Sequence, residues 1–276
     1  MVRGRDEGGA MVKRALCVGV NKYPRPDLEL HGCVNDDKGW ATLLREHYDF
    51  PASDVRLLLD RQATKAKIHR ALGDLLAGSK RGDVLVFTNS SHGTYRADAS
   101  GDESLYDEAM CPYDCETELL VDDELRELFG GLGDGVRLTV ISDSCHSGSV
   151  TREPPMLTPD HRRKRYVDPV ALGRRALSDV RRRARPRRES EVPEADMNEV
   201  LLSGCRADQY SFDAKFGRRF HGAMTHTALA TIAAADHRIT WAQLHRHLVP
   251  ALRDANYDQE PQLEGRAANK RRQIFT

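Results

Sequence analysis

The sequence predicts an α/β protein with a mainly parallel central sheet and helices on both faces. Short apolar, β-branched runs alternate along the chain with segments of helical periodicity, an order that parallel strands require because each is reached by a crossover. Two of those runs empty into small polar turns that carry chemistry. Val136 to Ile141 leads into Ser142-Asp143-Ser144-Cys145-His146-Ser147-Gly148, and Asp83 to Asn89 leads into Ser90-Ser91-His92-Gly93. The carboxyl ends of strands form the ligand crevice of an open parallel sheet, so a cysteine and a histidine are brought to one edge.

Ala15 to Val20 reads as the first buried strand. Asn35 is placed as the cap of a helix with Trp40, Leu43, Leu44 and His47 on one face, stopped by Pro51. Val55 to Leu59 is the second strand, and Thr64 caps a second helix that turns Ile68, Ala71, Leu72, Leu75 and Leu76 inward and has Gly78 behind it. The strand ending at His92 comes third. Tyr106 to Asp114, broken by Pro112, reads as an edge hairpin, and Asp122 as the cap of a short helix through Leu125, Leu128 and Phe129. The strand ending at Cys145 is fourth. Residues 151–196 hold twelve arginines and almost no apolar periodicity, which predicts a mobile linker. Regular structure resumes with a strand over Val200 to Cys205, a helix over Ala223 to Ala235 and a helix capped by Thr240 that ends at Pro250. Gln273-Ile274-Phe275 reads as a closing strand.

Composition limits the function classes. A chain of 276 residues, 39% hydrophobic and 30% charged, buries a sizeable core. No apolar run approaches the roughly 18 residues of a spanning helix, and Met1 to Met11 lacks the shape of a signal peptide. The expected setting is cytoplasmic, with no membrane partner, and the six cysteines are expected as reduced thiols. The net charge of zero hides an acidic first half and a basic 151–196. Cys111-x-x-x-Cys115 and His245-x-His247 each lack a second ligand pair for zinc. Gly130-Gly131-Leu132-Gly133 lacks the helix that a nucleotide site needs, so no organic cofactor is expected. The arginines of 181–188 have no interleaved aromatics, and nucleic acid is not an expected partner.

Cysteine and histidine at neighbouring strand ends suit peptide-bond hydrolysis: a thiolate attacks the carbonyl, and an imidazole titrating near neutrality takes and returns the proton. Further blocks carry a family resemblance. Ala15 to Asn21, Leu30-His31-Gly32-Cys33-Val34-Asn35-Asp36, Ser90 to Gly93, Tyr106-Asp107-Glu108, Val121-Asp122-Asp123-Glu124, Asp143 to Gly148 and Leu202-Ser203-Gly204-Cys205 resemble the metacaspases in number, order and spacing. The His92-to-Cys145 separation also agrees with the roughly 50 residues typical of caspases, whose Q-A-C-x-G signature is missing.

That resemblance implies a caspase-haemoglobinase-like three-layer sandwich without a recognisable N-terminal adaptor domain. Residues 1–12 would be an extension, 13–150 a large-subunit-like part, 151–196 the linker, and 197–276 a small-subunit-like part of the same domain. It implies Cys145 as nucleophile, His92 as general base, and the amides of Gly93 and Cys145 as oxyanion hole. Asp36, Asp143 and Ser90 would form a pocket for Arg or Lys before the cut in peptide or protein substrates. Calcium would bind Asp107, Asp122 and Asp123, with Arg152 standing where a fourth carboxylate is expected. Because a pocket for Arg would be tethered to this linker at high effective concentration, the enzyme is also expected to cut itself within 151–196, at Arg152, Arg162, Arg163, Arg165, Arg174, Arg175 or the 181–188 cluster. Ser91 departs from the family, which usually has glycine there. The rival reading is a catalytically impaired scaffold that acts by binding proteins.

Overall fold

The computed structural model describes residues 11–97, 106–145, 162–173, 194 and 196–276. Among the described residues six strands form the central sheet: β1 (Lys13–Gly19), β2 (Val55–Leu59), β3 (Val84–Ser90), β7 (Arg137–Asp143), β9 (Glu199–Ser203) and β12 (Gln262–Glu264), in the spatial order β2-β1-β3-β7-β9-β12. All neighbours pair in parallel except β9 with β12. Two further three-stranded sheets flank it. One joins β4 (Gly93–Ala97), β5 (Tyr106–Met110) and β6 (Leu120–Val121). The other joins β8 (Arg163–Lys164), β10 (Phe212–Phe216) and β11 (Arg219–Gly222).

Alternation along the central strands assigns the two faces. Cys17, Val84, Val86 and Leu202 pack under α1 (Cys33–His47), α4 (Ala223–Ala234) and α5 (Trp241–Asp254), against Trp40, Leu44, Ile232 and Leu244. Leu16, Val18, Leu85, Phe87 and Val140 face the opposite way, toward α2 (Lys65–Leu76) and α3 (Asp122–Gly130), against Ile68, Leu72 and Phe129. This is the predicted three-layer sandwich, completed by a short α6 (Ala267–Lys270). Among the described residues no helix is long and apolar enough to cross a membrane, and all six cysteines are buried free thiols.

Four element boundaries differ from the sequence expectation. Helix α1 begins at Cys33, not after Asn35, because side chains remote in sequence serve its first turn. Asp213 accepts from His31 N and Gly32 N, both at 2.8 Å, and Asn21 accepts from Val34 N. Asn35 instead donates to Phe220 O. Asp122 is the first residue of α3 rather than its cap. Helix α5 continues through Pro250 to Asp254, since burial of Leu252 on the stripe of Leu244 and Leu248 offsets the lost backbone bond. Gln273 to Phe275 is no strand of the sheet. Gln273 makes one bridge to Thr240, and Phe275 plugs the core edge-on to Trp241 at 5.1 Å. The closing edge is β12, antiparallel to β9.

Candidate active site

Strands β3 and β7 run side by side with Ser90 opposite Asp143, so the turns that follow them meet above the sheet. His92 is buried there. Its amide donates to Tyr23 Oη at 3.1 Å, and its Nε2 lies 2.9 Å from Leu28 O. A carbonyl accepts only, so Nε2 carries the hydrogen and Nδ1 is left unprotonated, without a hydrogen-bond partner. Burial pushes the His92 pKa down to about 3; the Leu28 carbonyl opposes the shift, and Arg163 and Arg165 add to it. Cys145 ends the neighbouring turn, fully buried, with its Sγ against the main chain of Ser211: the Ser211 amide points at it, and Ser211 O lies 3.2 Å away.

Residues 162–173 of the predicted linker lie over this pair as an ordered strap. Arg163–Lys164 pair antiparallel with Phe212–Asp213. Arg165 follows, its side chain fully buried. One terminal nitrogen, Nη2, contacts Asp36 at 2.6 Å and Asp213 at 3.1 Å. The other, Nη1, donates to Asp143 O at 3.0 Å and lies 3.4 Å from Asp143 Oδ2. Burial alone would lower the Arg165 pKa; the carboxylates of Asp143, Asp36 and Asp213 reverse the sign and hold it raised. Each carboxylate is fixed from behind. Thr225 donates to Asp143 from its amide and hydroxyl, at 3.0 and 2.7 Å, and Ser211 Oγ donates to its other oxygen. Gly222 N and His221 Nδ1 hold Asp36 at 2.9 and 3.0 Å. Gly222 is also a wall of the pocket, since a Cβ there would overlap both Asp143 and the guanidinium.

The backbone of Arg165 is held as closely as its side chain. Its N–H donates to Ser211 O at 2.9 Å, and its carbonyl accepts from Gly93 N at 3.0 Å and Cys145 N at 3.2 Å. Two amides therefore polarise a carbonyl beside a thiol, the arrangement that stabilises an oxyanion in acyl transfer. The strap continues with Val167 N donating to Gly93 O at 3.0 Å, and Val167 and Leu172 are buried in the core under α2.

Of the residues expected from sequence, Cys145, His92, Gly93, Asp36 and Asp143 converge on Arg165. Ser90 is buried at the end of β3, and its Oγ makes no hydrogen bond to the guanidinium. Ser91 keeps a negative φ, and its Oγ–H donates to His92 O at 2.9 Å, so its Cβ does not strain the turn. Asp122 and Asp123 lie apart, both paired with the guanidinium of Arg126, to Asp123 at 2.7 Å. Asp107 is buried on β5. Among the described residues no group of three or more His, Cys, Asp or Glu side chains is arranged to hold a metal ion. Arg152, Arg174, Arg175 and the 181–188 cluster lie outside the described residues. Asp213, His221, Leu28 and Ser211 were not anticipated. Leu28 acts through its backbone carbonyl, and Ser211 through its backbone toward Cys145 and Arg165 and through its hydroxyl toward Asp143, a role that a lone serine in a loop does not announce. Asp213 shows only as one of two charged residues in the short run Phe212-Asp213-Ala214-Lys215-Phe216.

The family described as metacaspase, peptidase C14 domain, matches residues 13–154. Metacaspase-4 of Arabidopsis thaliana is 40% identical over 52% of this chain and 35% of its own length. Metacaspase-1A of Neurospora crassa is 33% identical over 91% of this chain and 62% of its own length, and metacaspase-1 of Scheffersomyces stipitis is 31% identical over 91% and 70%. The chain thus spans from about a third to about two thirds of these relatives' length. Among solved structures, a Geobacter sulfurreducens protein superposes with a TM-score of 0.71 at 27% identity, covering 96% of this chain and 98% of that one. Caspase-1 of Spodoptera frugiperda superposes with a TM-score of 0.58 at 11% identity over 92% and 86%, which is a likeness of fold. The chain belongs to the metacaspase family.

Proposed function

We propose that the protein is a cysteine endopeptidase that cleaves after Arg or Lys, and that the strap is its first substrate, cut between Arg165 and Tyr166. The observation that supports this most is the pose of Arg165: guanidinium among three carboxylates, carbonyl between the amides of Gly93 and Cys145, and the Cys145 thiol alongside. In this reading the sulfur attacks the Arg165 carbonyl carbon, and the negative charge that builds on oxygen falls where two N–H groups already point. Nδ1 of His92, the bare nitrogen, takes the thiol proton and returns it to the departing amine of Tyr166. Water then hydrolyses the thioester, with His92 again as base. Until the cut is made the strap covers Cys145 and His92, so the uncut chain is latent toward other substrates.

The pocket favours a cation because Asp36, Asp143 and Asp213 are desolvated together, and a buried carboxylate without a partner is strongly unfavourable. Arginine serves it better than lysine. Its two terminal nitrogens reach all three acids at once, whereas an ammonium is a single point. Fluorogenic peptides ending in Arg, Lys or Asp test this on processed enzyme: hydrolysis in the order Arg, Lys, then none for Asp is expected, and preference for Asp overturns the pocket. Hydrolysis of none of them supports the scaffold reading.

We propose separately that calcium binds weakly or not at all to the uncut protein. Its fit to Asp107, Asp122 and Asp123 is poor in this conformation, because Arg126 already neutralises two of the three and calcium takes 6–8 oxygen ligands. Binding would have to displace Arg126. Isothermal titration should then give tighter calcium binding to Arg126→Ala than to wild type, and absence of binding in both removes calcium from the account.

A further inference from the structure

The strap touches the protein on both sides of Arg165, and those contacts involve three aromatic rings, Tyr95, Tyr210 and Tyr257, that the catalytic reading leaves without a role. Counting back from Arg165, Lys164 is second and Arg162 fourth. Lys164 Nζ lies 4.0 Å from the centroid of the Tyr210 ring, and Arg162 Cζ lies 4.1 Å from that of Tyr257. Arg162 also donates to the carbonyls of Asn256 and Ala255 at the end of α5. The positions alternate as an extended segment demands, with 162 and 164 meeting rings while 163 and 165 turn to other partners, Asp27 O and the acidic pocket. On the far side Tyr166 stacks on Tyr95 at 6.5 Å and 19°, and meets Tyr210 at 5.7 Å.

We propose that Tyr257 and Tyr210 are cation-binding subsites for the fourth and second residues before the cut, and that Tyr95 and Tyr210 form an aromatic subsite for the residue after it. The substrate class is then a basic run of the form Arg-x-Lys-Arg followed by an aromatic residue, in other proteins as well as in the strap. This rests on the reading of Arg165 as the residue before the cut. The physical basis is the attraction of a cation to the face of an electron-rich ring, reinforced at the fourth position by two carbonyl acceptors. Tyr210 serves two subsites, which gives its loss a signature of its own. Tyr257 is held in place by Phe212 and Phe216, at 6.0 and 6.1 Å, so its ring is positioned before any substrate arrives.

Internally quenched peptides built on Arg-Ala-Lys-Arg-Tyr-Val test it on the processed enzyme. Replacing the outer Arg, the Lys or the Tyr by Ala is expected to lower kcat/KM about fivefold or more each, the size of a desolvated cation–π contact or an aromatic pair. A peptide of equal charge with its outer arginine moved one position further out should behave like the Ala peptide. Tyr257→Leu should erase the fourth-position preference alone and Tyr257→Phe should keep it, whereas Tyr210→Leu should weaken the second-position and after-cut preferences together. The peptide series on wild type stands even if a variant fails to fold. Equal cleavage of all peptides that keep Arg before the bond overturns the subsites and leaves the catalytic reading intact. Failure to cleave any of them overturns the catalytic reading itself.

Discussion

The Arg165 guanidinium is held by three carboxylates, each tied in turn to the backbone of another element: Asp36 to Gly222, Asp143 to Thr225 and Asp213 to His31 and Gly32. The acids are thus fixed in position and do not need to rearrange around an arriving cation. Burial raises the Asp36 pKa, and Arg165 and His221 work against that shift. Asp213→Asn keeps an oxygen for one of the two amides and removes one charge-assisted contact. It should lower kcat/KM for Arg peptides by about tenfold or more, and lower the melting temperature as well, because one of the His31 and Gly32 amides then faces a buried NH2; unchanged kinetics would remove Asp213 from the pocket. His92 gives a prediction in pH. Its pKa of about 3 under the strap lies below the ordinary imidazole value, so the closed form binds fewer protons than any state in which His92 is exposed. Closure is therefore at full strength above about pH 6.5 and weakens as pH falls toward 3, by up to about 1.4 kcal/mol per unit. NMR titration of Cys145→Ala should find His92 neutral at pH 5, and a ring that titrates near 6.5 in the uncut protein would contradict the burial. Asp36, Asp143, His92 and Cys145 were legible because motifs surround them. Asp213 was not, since a buried carboxylate in a strand is recognised only by what it faces.

At the scale of the element, the strap combines one buried arginine with two apolar anchors, Val167 and Leu172, and a short 3-10 turn whose Asp168 side chain accepts from Val170 N. Composition marks the segment as a linker because four buried residues in twelve, Arg165, Val167, Pro169 and Leu172, leave no periodicity to detect. The ordering comes from surfaces elsewhere, the edge of β10 and the acidic pocket, that a local reading does not contain. Arg165→Ala should release the strap from the pocket. Progress curves with added peptide should then start without a lag and at least about tenfold faster than those of unprocessed wild type, and no cut should fall at position 165. A variant as latent as the uncut wild type would show that the strap does not block the site.

For the molecule as a whole, the sheet decides what a cut can do. Strands β1, β2, β3 and β7 precede the strap, β9 and β12 follow it, and β7 pairs with β9 along five residue pairs. Trp40 shares one core cluster with Ile232 and Trp241. Cleavage at the strap therefore leaves one particle: the two pieces should co-elute in gel filtration and part only in denaturant, and separation under native conditions would contradict the shared core. The succession of strands and helices was legible, because short apolar runs alternate with stretches of helical periodicity; the spatial order of the strands and the closing edge β12 were not, since pairing is decided by partners remote in sequence. The flanking hairpin of β10 and β11 was not, since it is short and its pairing partner is the strap. The central claim is that Arg165 lies where a scissile residue lies. Intact-mass and N-terminal analysis of wild type and Cys145→Ala, purified in parallel and incubated alike, tests it most directly. The account predicts a wild-type fragment beginning at Tyr166 and an uncut Cys145→Ala protein; an intact Arg165–Tyr166 bond in wild type that is active on Arg peptides would contradict it.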